Sequence, residues 1–486
     1  MAWTADIMLM LPEIMVVLTA LAVLLADLFL DERRRGAVSV LALAGLAAAG
    51  AALPVLTPMD GAALGGQFAM DPVAWWFKLF FVLSGLVTVV LSMDLLHGRT
   101  AVRMRGIGSP GEYYTVLLLT VSGMMFLVSS RDMISLYVSL ELATIPLFAL
   151  AAWRREDVKS GEAGLKYVII GALASAFILY GLGLLYGLAG QIGLDAVRSV
   201  QGSPAFWLAA AMLIAGVGFK LTLVPFHLWA ADVFEGAPMP VTAYLSVASK
   251  GTGLAFMFQL FFRGMGGWLD DWSLLIALFA AATMTLGNCA AMVQDNIKRF
   301  MAFSAISHAG VFIMGFLGPR DFGVPAMLFY LLAYIASTFG MFAGIVWYSN
   351  MTGRERICDY RGLSRTNPLM ALAMMLALFS LAGIPPLSGF VGKFFLFSVA
   401  AGAGFHWLVG VAAVNSTIAL YNYLRIVRQM YIEPVREGDA PPRAGVMLGA
   451  MTALLCVLVV VLGIIPFFYN AIHAGTVSWM RAFLPL

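Results

Sequence analysis

Charge is what this sequence has least of. Of its 486 residues only 11% are Asp, Glu, Lys or Arg, whereas 62% are hydrophobic and the mean hydropathy is +0.92. A water-soluble domain carries about a quarter charged residues, so that class is excluded and the chain reads as a polytopic membrane protein. Cysteine is scarce as well: Cys289, Cys358 and Cys456 lie far apart and form no CxxC, which indicates neither a disulfide framework nor an iron–sulfur site. The five histidines sit on separate segments without HExxH or other metal spacing. Gly392-Lys393 is followed by Phe394, and position 387 is Leu, so the phosphate-loop pattern fails. A net charge of +3 gives no nucleic-acid surface. No cofactor or metal is expected in this chain. The start, MAWTADIMLMLPEIM, lacks a basic leader and carries Asp6 and Glu13, so the first helix is expected to be retained.

What is present is apolar length. Windows able to span about 30 Å of hydrocarbon fall near 8–30, 37–57, 72–96, 112–130, 132–152, 161–189, 204–232, 239–262, 272–293, 299–317, 323–349, 367–399, 405–431 and 445–470, fourteen in all. No connection leaves room for a soluble domain. Loops after odd-numbered spans hold 19 basic residues: Arg33, Arg34, Arg35, Arg99, Arg103, Arg105, Arg154, Arg155, Lys159, Lys298, Arg299, Arg354, Arg356, Arg361, Arg365, Arg425, Arg428, Arg436 and Arg443. The other side holds five: Arg131, Arg198, Arg263, Arg320 and Arg481. The positive-inside rule therefore puts both termini on the outer face.

Two spans are interrupted. Within Leu213–Pro240 of the seventh, Pro225 follows Lys220 by five residues; in the twelfth, Gly383-Ile384-Pro385-Pro386 precedes Gly389 and Lys393. Proline removes a donor and clashes with the preceding turn, so both helices should break. Irregular backbone at bilayer depth survives only where protein buries it or a watery cavity accepts it. An odd offset makes the two spans antiparallel, the pattern of an inverted repeat with a site at each break. The expected organisation is helices 1–3 over residues 1–110, a first repeat of helices 4–8 over 111–262, an inverted second repeat of helices 9–13 over 263–431, and helix 14 with a tail over 432–486.

The remaining five basic residues are lysines inside the spans: Lys78, Lys166, Lys220, Lys250 and Lys393. Each central one costs about 2.5–3.5 kcal/mol on insertion scales and needs a partner or a task. Glu141 is the acid of the fifth span and a partner for Lys220. Lys166 and Lys250 lie among small residues, which at Lys250 leave space for water. His308 has Ser304 on the same face. Asp27 and Asp94 lie near helix ends and read as solvated. Bland readings stand beside these: Glu141–Lys220 as a static pair, Lys166 as a helix-end partner for an acid, His308 as a satisfied interior histidine. Lys78 reads as structural, snorkelling to the interface. As a set the charges suit protons, because an ammonium loses its proton on desolvation and regains it near a carboxylate.

GFKLTLVPFHLWAADVFEGAP, with YVSLELATIPLFAL before it and QDNIKRFMAFSAISHAG after it, resembles the antiporter-like subunits of respiratory complex I. ICDYRGLSRTNPLMALAMMLALFSLAGIPPLSGFVGKFFLF is most similar to the subunit N branch of that family, from bacterial NADH–quinone oxidoreductase. The similarity runs through about residues 110–430. Of the sister branches, one carries glutamate on helix 12, unlike Lys393, and another a long lateral helix, whereas this sequence ends at Leu486. The resemblance implies an all-α fold of fourteen transmembrane helices, with two inverted five-helix repeats around broken helices 7 and 12. It implies that Glu141 and Lys220 form the acid–lysine pair, that Lys166 lies near it, and that Lys250 and Lys393 are the central and terminal relay lysines. It further implies proton translocation driven by electron transfer from NADH to quinone in partner subunits, which would hold the FMN, iron–sulfur clusters and quinone. The partners would be other membrane-arm subunits, sister antiporter-like subunits among them, in a bacterial inner (cytoplasmic) membrane. A subunit of a multisubunit cation/proton antiporter or membrane-bound hydrogenase shares the core motifs, and a purely structural membrane subunit is the reading from another class.

Overall fold

The computed structural model describes residues 2–31, 36–56, 61–96, 108–200, 202–265, 269–435 and 445–483. Arg33, Arg34, Arg35, Arg99, Arg103, Arg105, Arg436, Arg443 and Leu486 lie outside the described residues. The chain is a bundle of α-helices: α1 (Ala2–Leu9), α2 (Leu11–Phe29), α3 (Gly36–Leu56), α4 (Pro72–Leu96), α5 (Pro110–Ser129), α6 (Met133–Ala151), α7 (Val158–Ala189), α8 (Pro204–Leu221), α9 (Ala230–Gly236) and α10 (Met239–Met257). There follow α11 (Leu269–Met292), α12 (Ile297–Ile313), α13 (Arg320–Thr352), α14 (Leu363–Thr366), α15 (Pro368–Ala382), α16 (Ser388–Gly402), α17 (His406–Tyr431), α18 (Val446–Ile464) and α19 (Phe467–Phe483). Among the described residues twelve helices are long and apolar enough to cross a membrane. The other two expected spans are the divided α15–α16 and α17, whose apolar run is interrupted by Asn415, Asn422, Arg425 and Arg428. Burial explains those asparagines: Asn288 of α11 donates to Asn415, and Asn422 donates back to the Asn288 carbonyl at 2.9 Å.

The core centres on α10 and α13, whose span windows are wholly buried. Both are therefore apolar all round with small residues where neighbours approach. Past Met257 the backbone of α10 widens into a π-helix, Phe258–Gly264, of the kind found at functional sites.

The breaks fall where proline and glycine put them, with one refinement. α8 ends at Leu221, short of Pro225, because Thr222 takes the left-handed conformation (φ +62°). α15 ends likewise at Gly383 (φ +90°), and Val224–Pro225 and Pro385–Pro386 are both cis. Related features recur elsewhere: Asp132 caps α6 and bridges to Gly193, and Asn296 caps α12 and bridges to Arg356.

Two expectations of shape are corrected. The last window, 445–470, is two helices, because Pro466 cannot donate to the turn before it. α18 ends with Gly463 against the second break, where a Cβ would run into the Pro386 carbonyl. α19 then runs antiparallel to the first half of α13, with Tyr469 edge-on to Phe329 and Arg481 3.2 Å from Asp321. Between α3 and α4 lies a short antiparallel hairpin, β1 (Gly61–Ala63) and β2 (Phe68–Met70), which the hydropathy reading passed over.

Candidate functional site

Lys220, Lys250 and Lys393 converge on the breaks. Lys220, in the last turn of α8 and 6% exposed, donates to Thr144 Oγ1 of α6 at 2.7 Å. Lys250, fully buried on α10, donates to Thr222 Oγ1 at 2.8 Å. A β-branched residue rarely adopts the left-handed conformation; here it turns its hydroxyl from α8 toward Lys250. Lys393, one turn into α16, reaches back to the carbonyls of Leu381 (2.8 Å) and Ala382 (3.0 Å). Those are final carbonyls of α15, unpaired within the helix and at its negative end. Among the described residues none of these three ammoniums has a carboxylate within 4.0 Å.

Glu141 and Lys220 make no direct contact. Glu141 is partly exposed on α6, and its Oε1 accepts from Ser175 of α7 at 2.6 Å. Thr144 stands one turn along α6 from Glu141 and takes the ammonium instead. Lys166 is 39% exposed and pairs with Glu162 (2.7 Å) and Asp232 (2.6 Å), as its reading as a helix-end partner for an acid expects. Asp232 also binds Arg299, which meets Glu235, which in turn meets Lys159. This network ties α9 to α7 and α12. Lys298, placed in a loop by the charge count, is 1% exposed and donates to the carbonyls of Glu235 (2.8 Å) and Ala237 (3.2 Å). It caps the end of α9, as a cation at a helix C-terminus should. Asp27, expected to be solvated, accepts from Ser109.

His308 joins the second half. Its Nδ1 lies 2.6 Å from Tyr330 Oη and its Nε2 3.1 Å from Tyr423 Oη, with Ser304 Oγ 2.5 Å from the same Tyr423 hydroxyl. Tyr330 packs directly on Gly392, the neighbour of Lys393, where a Cβ would lie 2.5 Å from the ring. On the other side the His308 ring is 5.1 Å from that of Tyr334, whose hydroxyl donates to the Ser246 carbonyl one turn before Lys250. The small residues beside Lys250 are filled space, not room for water: Gly251 abuts Phe81 and Gly253 abuts Leu221.

The residues that the charge pattern missed are hydroxyls: Thr144, Ser175, Thr222, Tyr330 and Tyr423. The signal for two of them was spacing, Thr144 three residues after Glu141 and Thr222 two after Lys220.

Lysines gathered at two broken helices, inside an all-α membrane bundle, define an antiporter-type membrane subunit. The family model described as "NADH:quinone oxidoreductase/Mrp antiporter, TM" matches residues 130–419, which contain Glu141, Lys166, Lys220, Lys250, His308 and Lys393. NADH-quinone oxidoreductase subunit N of Moorella thermoacetica is 38% identical, over 95% of this chain and 96% of that one. The chain thus belongs to the NADH-quinone oxidoreductase subunit N family. Among solved structures, a chain of respiratory complex I from Thermus thermophilus with bound aureothin superposes with a TM-score of 0.81 at 32% identity, covering 96% of this chain and 100% of that one. A chain of the Mrp complex from Dietzia sp. reaches a TM-score of 0.83 at 22% identity, covering 99% of each, and shares the fold.

Proposed function

We propose that this chain is a proton-translocating membrane-arm subunit of an NADH:quinone oxidoreductase, and that Glu141, Lys220, Lys250, His308 and Lys393 carry the proton. One observation carries the reading: Lys220, Lys250 and Lys393 are held by the hydroxyls of Thr144 and Thr222 and by the last carbonyls of α15, with no carboxylate in contact among the described residues. A lysine held by neutral groups can take up or release its proton without stranding a buried partner of opposite charge.

Lys220 has two acceptors one helical turn apart, Thr144 and Glu141. Swinging toward Glu141 favours its charged form; staying on Thr144 favours release toward Thr222 and Lys250. Bringing two unit charges to about 4 Å at an effective dielectric near 20 is worth about 4 kcal/mol. One charge moved against 100 mV costs about 2.3 kcal/mol, so the switch is large enough. Lys166 serves in this scheme as a positioning residue, holding α9 below the first break through Asp232. The two halves, 111–262 and 263–431, act as inverted repeats flanked by 1–110 and 432–486.

This chain supplies no redox chemistry of its own; FMN, iron–sulfur clusters and quinone belong to partner subunits, with sister antiporter-like subunits alongside. The bacterial inner membrane is the setting, with both termini on the outer face. A reporter fused after Leu486 is accordingly expected to be accessible from the outer side of sealed cells; labelling only after the membrane is opened would reverse the orientation.

The direct test is Lys250→Met. Methionine keeps the stem length and deletes the proton site, so complex should assemble with fewer protons moved per NADH oxidised. Proton uptake by vesicles, normalised to assembled complex on native gels, reads this; a parental ratio would remove Lys250 from the path.

A further inference from the structure

Lys78 does not snorkel. Lys78 and Glu13 are both 0% exposed, and Lys78 Nζ lies 2.6 Å from Glu13 Oε1. The other neighbours of the ammonium are soft, Met70 Sδ at 3.1 Å and the Phe68 ring at 4.8 Å, both from the hairpin that covers it. Glu13 Oε2 accepts no hydrogen bond among the described residues. Packing does not ask for such a pair, since apolar residues of like volume usually serve as well or better.

Its position supplies a reason. Lys78 lies one turn before Phe81 on α4, and Phe81 packs on Gly251, the neighbour of Lys250, with a Cβ there 2.8 Å from the ring. Two turns before Lys78, on the same face, Asp71 caps α4 through the Ala74 amide (2.8 Å). Asp71 Oδ2 also binds Arg131 and, at 3.0 Å, Arg263 at the far end of α10. One carboxylate thus ties the start of the helix bearing Lys78 to the end of the helix bearing Lys250.

We propose that Glu13 and Lys78 form a proton-holding site on the outer side of Lys250, an outlet beside the branch through His308 and Lys393. The proposal rests on the translocation reading and orientation given above. Lys78 passes one proton to Glu13, leaving an amine and a carboxylic acid. The amine takes the proton arriving from Lys250, and Glu13 releases its own to the outer side. One proton enters, one leaves, and the ion pair is restored.

The test compares the double variant Glu13→Leu/Lys78→Met with Lys220→Arg, as whole complex in vesicles. The double variant is expected to lower protons moved per NADH oxidised by at least half of the loss that Lys220→Arg causes. A parental ratio in the double variant, with loss in Lys220→Arg, overturns this site and leaves the translocation reading standing; a parental ratio in both overturns the reading itself. Should the double variant fail to assemble, the unaltered complex decides. Dicyclohexylcarbodiimide attacks a protonated carboxyl and not a carboxylate, so mass spectrometry of complex treated during turnover should find Glu13 modified. An unmodified Glu13 overturns the proposal.

Discussion

Replacing Lys220 by arginine is expected to leave the complex assembled and to abolish this chain's share of proton movement. Arginine keeps the charge, reaches Thr144 from the same turn of α8 and still feels Glu141 across one turn of α6. What it cannot do is release a proton, because the guanidinium stays charged in a protein at any working pH. A static cation tolerates that exchange and a relay does not. Lys220→Ala should fare worse in assembly, since it empties a buried position and removes the field opposing Glu141. The measurement is vesicle proton uptake per NADH oxidised, normalised to complex on native gels. Parental uptake in Lys220→Arg would mean that Lys220 holds its proton throughout turnover, and the scheme would fall.

The breaks and the buried lysines were legible for one reason: each breaks a local rule. A lysine in an apolar run, or a proline inside a span, conflicts with its surroundings, and such conflicts gather at functional sites. The partners were not legible, because a threonine in a membrane helix usually bonds its own preceding carbonyl. Thr144 does so, donating to Leu140 at 2.7 Å, while its free lone pair receives Lys220. Glu13 and Lys78 were hidden differently. Each lies near a helix start, where a charge normally reaches water, and nothing in hydropathy announces that Phe68 and Met70 fold over them. The Glu141–Lys220 pair was expected from charge and from the family resemblance, and the direct contact of the ammonium is Thr144, one turn along α6. The division of the last span at Pro466 was readable, since proline interrupts the seventh and twelfth spans by the same loss of a backbone donor.

Asp71→Asn gives the largest expected loss of stability. Asp71 is 4% exposed, and the side chains of Arg131 and Arg263 that it holds are 9% and 8% exposed. Asparagine preserves Oδ1 and with it the cap on Ala74, so α4 should still start where it does. The change falls on the other atom, where an amide donor would face two guanidinium donors with nothing to accept from them. Breaking a buried pair by removing one partner costs about 3–5 kcal/mol, and here one carboxylate serves two cations. The expected result is a sharp fall in assembled complex on native gels and a lower thermal midpoint for what remains. Adding Arg263→Gln should restore part of the loss, because the glutamine oxygen can accept from the newly introduced amide and one uncompensated charge is gone. Parental amounts of Asp71→Asn complex with a parental midpoint would show that water satisfies these guanidiniums, and that Asp71 does not hold α4 against the end of α10.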